Sequence, residues 1–172
     1  MPELRKGVHT LRGNPLTLVG PEVRPGQAAP DFTMIDRDFH TVTLQDTPAK
    51  VRVFSVVPSL DTGVCDQQSR RFEAEAKQLG DRVAVYTISR DLPFAQKRWC
   101  GASEAETMEM LSDSRDHSFG PAYGNEIAEM GLLSRSIFVI DTQGIVRYVQ
   151  YVPEFADLPD FDAALAAVRT LL

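Results

Sequence analysis

Cysteine is scarce in this chain. Cys65 and Cys100 are the only two in 172 residues, too few for a disulfide scaffold. They form no Cys-x-x-Cys pair, which argues against a thioredoxin-type dithiol reductase. Neither has a further cysteine or a histidine at ligand spacing, so a zinc site has little to draw on. No apolar run approaches the roughly 18–20 residues of a membrane span. The opening MPELRKGVHTLRGNP is interrupted by glycine and polar residues before a signal-peptide core can form. Basic excess is absent as well: 18 Lys and Arg stand against 24 Asp and Glu, a net charge of −6, so neither nucleic acid nor an acidic membrane surface is an expected partner. These absences lead to the expectation of a cytoplasmic protein whose partner is a small molecule or another protein. In a reducing compartment, two cysteines are expected to be inert, metal-binding or redox-active.

The chain does have enough apolar residues, 43%, to build a sizeable core, and its length predicts one domain over residues 1–172. Residues 4–19 read as an N-terminal hairpin, within an added segment 1–20, turning at Gly13-Asn14. DFTMID and TVTL form a second pair of short strands, and VRVFSVV (51–57) is apolar and β-branched enough to be a central strand. Val64 to Leu79 then follows a helical period through Phe72, Ala76 and Leu79 and stops at Gly80. VAVYTIS (83–89) is another buried strand, and a short helix opens at Pro93 and closes at Gly101. One more helix is expected within 120–130 and a hairpin over 136–152. A terminal amphipathic helix over 159–172 should turn Phe161, Leu165, Val168 and Leu172 inward. Glu73, Glu75 and Lys77, like SEAETMEM, read as solvated surface. This order predicts an α/β thioredoxin-like fold: a central mixed sheet flanked by helices, with the added hairpin.

Cys65 falls where a central strand gives way to a helix, at the carboxyl edge where open α/β sheets place their sites. Pro58 ends the strand, and Asp61 or Thr62 is the expected N-cap. A cap at Thr62 puts Cys65 three residues on, among unpaired backbone N–H groups at the positive end of the helix dipole. Such a position favours thiolate, the nucleophilic form. Asp66 opposes ionisation, and Arg70 and Arg71 lie mostly off the thiol's face, so any cation serving Cys65 must come from elsewhere in the chain. Cys100 sits at a helix C-terminus, where the dipole disfavours thiolate and Lys97 and Arg98 offset this in part. The asymmetry assigns Cys65 as attacker and Cys100 as resolver; the bland alternative for both is apolar core packing. A cysteine hydrolase would need a histidine, with His9, His40 and His117 as candidates. A non-catalytic redox sensor read by a partner protein is the stronger competing reading.

Pro58, Thr62 and Cys65 in VVPSLDTGVC carry a P-x-x-x-T-x-x-C pattern. With DLPFAQKRWCG, LSDSRDHSFG and GLLSRSIFVID, and with LRGNPLTLVG and PGQAAPDFT nearer the start, the chain resembles the atypical two-cysteine peroxiredoxins of the thiol peroxidase subfamily along nearly its whole length. That resemblance implies a peroxidatic Cys65, a resolving Cys100 and an intramolecular disulfide between them. It also implies active-site roles for Pro58 and Thr62, and makes Arg135 the active-site arginine and so the missing cation. Reduction of hydroperoxides, with alkyl and lipid hydroperoxides favoured, recycling by thioredoxin, and a homodimer follow from the same resemblance. Sulfur carries both electrons, so no metal or organic cofactor is called for.

Overall fold

The computed structural model describes residues 1–172. β1 (Leu4–Leu11) and β2 (Asn14–Val19) form the N-terminal hairpin, paired from Leu4↔Val19 to Leu11↔Asn14. Its turn lies one residue earlier than the Gly13-Asn14 pair. Arg12 and Gly13 have φ of 50° and 80°, the two positive values that a two-residue type I′ connection requires, and Pro15 is left inside β2. β3 (Thr33–Ile35) and β4 (Thr41–Thr43) pair antiparallel. Two βαβ units follow: β5 (Val51–Val56), α1 (Gly63–Leu79), β6 (Val83–Ser89), α2 (Pro93–Ser103) and β7 (Glu109–Ser112). The remainder is a one-turn α3 (Phe119–Ala122), β8 (Glu126–Ile127), β9 (Leu132–Leu133), the hairpin β10 (Ser136–Ile140) and β11 (Val146–Tyr151), and α4 (Phe161–Thr170).

Seven strands make one mixed sheet in the order β11-β10-β5-β6-β7-β3-β4, with β5, β6 and β7 parallel in its middle. All six residues of β5 are buried, because both of its faces are covered. Val51 and Val53 point into a core shared with Phe72 of α1 and with Ala164 and Val168 of α4, and both cysteines belong to this core. Phe54 and Val56 point the other way, into a second core with Phe32, Phe119, Tyr123 and Phe138. There Phe119 stacks on Tyr123 at 4.2 Å between ring centroids, so α3 works as an aromatic lid on the sheet.

A smaller sheet, β1-β2-β8-β9, is seated against this body. Gly20 (φ 104°) and Gly124 (φ 63°) permit the seating: a Cβ on Gly20 would collide with the Pro121 carbonyl, and one on Gly124 with that of Pro21. Here the expected helix over 120–130 is corrected. Gly124 ends α3, and Glu126 and Ile127 pair instead with Val19 and Leu18, because the open edge of β2 captures them.

Three other expectations change for tertiary reasons. Gly101 does not stop α2, which runs to Ser103 and closes on Glu104 in the left-handed region at φ 54°. One helical glycine costs only about 1 kcal/mol relative to alanine, and contacts beyond the helix decide where it ends. SEAETMEM is not surface throughout: Ala105, Met108 and Met110 are buried, and Met110 belongs to β7. Leu172 is 43% exposed because α4 ends at Thr170, while Leu165 and Val168 are buried as expected.

Candidate active site

The parallel register between β5 and β6 runs from Val51↔Val83 to Val56↔Ile88, so both strands deliver their following segments to one edge. Beyond β5 the Val57 N–H donates to Ile88 O at 2.9 Å, and Pro58, lacking an N–H, ends the ladder and is buried. The loop that follows is held by Asp91, which accepts from Ser59 Oγ at 2.7 Å, from the Leu60 N–H at 2.8 Å and from Ser89 Oγ at 2.8 Å. Asp91 opens the DLPFAQKRWCG stretch, but nothing in that stretch marks it as a partner of the loop after β5. Its role appears only once the two strand ends lie side by side.

Thr62 is the N-cap of α1. Its Oγ1 accepts the Cys65 N–H at 3.3 Å and donates to Ser59 O at 3.2 Å, and its carbonyl accepts the Asp66 N–H. A hydroxyl has one hydrogen and two lone pairs, so one lone pair on Thr62 is left for an incoming O–H group. Cys65 is the third residue of α1, at the positive end of the helix dipole, and is fully buried.

Arg135, at the entry to β10, is 1% exposed. Its Nη1 donates to Gln68 Oε1 at 2.9 Å and its Nη2 to Phe155 O at 3.1 Å, while its buried Nε has no partner. Gln68, three residues after Cys65, shares the thiol's helical face and is itself fixed by donating to Ser55 Oγ at 2.8 Å. A chain of side chains from β5 through α1 thus docks the guanidinium on the cysteine-bearing face, with an unused donor. Gln68 is a second functional position that sequence reasoning missed; its spacing from Cys65 was the available signal.

Cys100 lies in the last turn of α2, its carbonyl accepting the N–H groups of Glu104 and Ala105. Burial pushes its thiol up from the ordinary range, and the charges of Glu73 and Glu109 act in the same direction; Arg37 alone pulls it down. Lys97 and Arg98 do not provide the expected offset: they pair with Asp38 and Asp61 on the surface. Glu73 is likewise not solvated. Its buried carboxylate accepts the backbone N–H groups of Glu106, Thr107 and Met108 at 2.8–2.9 Å, and this capture sets the exit from α2.

The two cysteine-bearing helix ends touch through the cysteines' neighbours. Trp99 Nε1 donates to Asp66 Oδ1 at 2.8 Å, and Arg70 donates to Asp66 Oδ2 at 2.8 Å. Burial works against the Asp66 charge, but these hydrogen bonds outweigh it and hold its carboxyl below the usual range. None of the histidines hydrogen-bonds Cys65: His9 meets Val152 O, His40 meets Asp36 and His117 meets Ser114 O. A Cys–His hydrolase therefore finds no partner here.

A mixed sheet with two βαβ units and a capped cysteine at the carboxyl edge defines a thioredoxin-like domain of the peroxiredoxin kind, and the family described as Redoxin matches residues 24–165. The chain is 52% identical to the thiol peroxidase of Bacillus subtilis over 163 residues, 95% of this chain and 97% of that one. It is 49% identical to the thiol peroxidase of Staphylococcus aureus (strain Mu50) over 162 residues, 94% and 98% of the two chains. The chain belongs to the thiol peroxidases of the redoxin family and is a peroxidase. Among solved structures, a peroxiredoxin-like protein from Aquifex aeolicus superposes with a TM-score of 0.89 at 37% identity, covering 96% of this chain and 98% of that one. The thiol peroxidase of Chromobacterium violaceum has the same fold, with a TM-score of 0.84 at 21% identity over 94% and 95%. No helix is long and apolar enough to cross a membrane.

Proposed function

We propose that this peroxidase, acting as one domain over residues 1–172, reduces hydrogen peroxide and alkyl or lipid hydroperoxides through Cys65. The observation that carries the reading is a thiol in the first turn of a Thr62-capped helix with the Arg135 guanidinium docked on the same face through Gln68. Cys65 thiolate attacks the distal peroxide oxygen, the O–O bond breaks, and an alcohol or water leaves while the sulfur becomes a sulfenic acid. Thr62 Oγ1 accepts from the peroxide O–H with its remaining lone pair. The unpartnered Nε–H of Arg135 donates to a peroxide oxygen and stabilises charge moving onto the leaving group. Pro58 walls the pocket without offering a competing N–H.

Cys100 then attacks the sulfenic sulfur, giving a Cys65–Cys100 disulfide and water, and thioredoxin reduces that disulfide. Both thiols are free and lie in the same apolar core at the ends of α1 and α2. Bond formation releases the Asp66–Trp99 contact by local unwinding of these ends. The protein works in antioxidant defence as a cytoplasmic homodimer. Intact mass after one equivalent of cumene hydroperoxide tests the scheme: a loss of two hydrogens mapping to a Cys65–Cys100 peptide is expected. A stable sulfenate with both cysteines unlinked would refute it. Sustained turnover with thioredoxin separates this enzyme from a sensor, which oxidises once and waits.

A further inference from the structure

Cys100 is faced by three charged side chains from three elements: Arg37 in the turn between β3 and β4, Glu73 on α1 and Glu109 at the start of β7. The two carboxylates oppose a negative sulfur, and the Arg37 guanidinium favours it. The surrounding contacts give this placement a built geometry. The Phe39 ring packs on Phe94 with centroids 5.1 Å apart, and Asp38 Oδ1 accepts from Lys97 Nζ at 3.3 Å. Phe94, Lys97 and Cys100 recur every three residues, so the turn lies along one face of α2: Phe39 meets Phe94, Asp38 meets Lys97, and Arg37 comes next in the direction of Cys100. Asp36 closes that turn by accepting the N–H groups of Asp38 and His40, both at 2.9 Å. Phe39 within it has φ 65°, a conformation that a bulky aromatic adopts only when its surroundings enforce it.

We propose that Arg37 serves the resolving half-reaction, its guanidinium placed beside Cys100 so that its charge favours the sulfur as the nucleophile for oxidised Cys65. The proposal rests on the assignment of Cys100 as resolving cysteine. In that step Cys100 gives its proton to solvent and its thiolate attacks Cys65 Sγ. The S–S bond forms as the S–O bond of the sulfenic acid breaks, and the departing hydroxide is protonated to water. The Cys100 sulfur is oxidised and the Cys65 sulfur reduced. A fixed cation at Cys100 raises the thiolate fraction for this step alone, because Arg135 serves Cys65 separately.

The test compares Arg37→Met, Arg37→Lys and the wild type after rapid mixing with one equivalent of hydrogen peroxide. Fluorescence of Trp99, the only tryptophan, reports the two phases, and acid quench with mass analysis identifies them. For Arg37→Met the rate of Cys65 oxidation stays unchanged, disulfide formation at pH 7 slows about tenfold, and the pH midpoint of that phase rises by about one unit. Arg37→Lys recovers part of the loss. Arg37 is half-buried on a surface turn, so a melting temperature near the wild-type value is expected to accompany both variants. An unchanged rate and midpoint for disulfide formation in Arg37→Met, or a faster one, overturns the proposal. Absence of the disulfide in the wild type would instead reject Cys100 as resolver, and this is read before any variant is made.

Discussion

Replacing Glu73 by alanine removes one carboxylate that accepts three backbone N–H groups at 2.8–2.9 Å. The Met108 amide is buried, and stranding it costs about 1–3 kcal/mol. Glu106 and Thr107 are exposed residues whose amides can turn to water, so each contributes about 0.5–1 kcal/mol. Lys77, 4.0 Å from the carboxylate and mostly in solvent, adds little. Together these give a loss of about 3 kcal/mol, which in a domain of this size lowers the melting temperature by about 6–12 °C. Calorimetry of the reduced protein measures it. Glu73→Gln keeps one acceptor oxygen but turns an amide donor toward an N–H group, and should lose about half as much. A Glu73→Ala protein melting within about 2 °C of the wild type would refute the claim that this carboxylate fastens the α2 exit to α1.

Cys65→Ser should abolish peroxide reduction in a thioredoxin-coupled assay, and appreciable residual turnover would remove Cys65 as the attacker. Cys100→Ser should complete one rapid turnover and stop with sulfenate on Cys65; continued cycling would mean that another group resolves it. Gln68→Leu leaves Arg135 Nη1 without its acceptor, and kcat/KM for peroxide should fall by about 10–100-fold, or about 1.4–2.7 kcal/mol of transition-state stabilisation. An unchanged kcat/KM would separate Gln68 from the placement of Arg135. His9 is lowered by burial, with Arg135 adding to the effect, against the Val152 carbonyl bond and the Glu154 charge. Its neutral form therefore stabilises the fold: the contribution is complete above its usual value near 6.5 and is lost as pH falls through the folded-state value. The melting temperature should fall as pH drops below 6.5, and His9→Gln should flatten that decline; parallel curves would reject His9 as its source.

Elements with strong local signals were legible along the chain. The apolar β-branched run at 51–57 became the buried β5, and the period through Phe72, Ala76 and Leu79 became α1. Thr62 as cap and Cys65 three residues on were readable because an N-cap hydrogen bond spans only those few residues. Segments whose partners are distant were not legible. Residues 126–127 joined β2 because an open strand edge more than a hundred residues away was waiting for them, and α2 ran past Gly101 because Glu73 caught the amides beyond it. Glu73 itself looked like one more solvated helix charge until the fold buried it.

By itself, then, the sequence determined the βαβ scaffold, the helix-start environment of Cys65 and the presence of a second thiol and a distant arginine, all consequences of short-range hydrogen bonding and periodicity. The tertiary structure alone decided what surrounds those groups. It buried Arg135 against Gln68 with its Nε–H unspent, joined the cysteine-bearing helix ends through Asp66 and Trp99, and laid the turn that carries Arg37 along the α2 face of Cys100 while Lys97 and Arg98 paired with surface carboxylates. Charge and hydrogen bonding act through space, and only the packed sheet sets those distances.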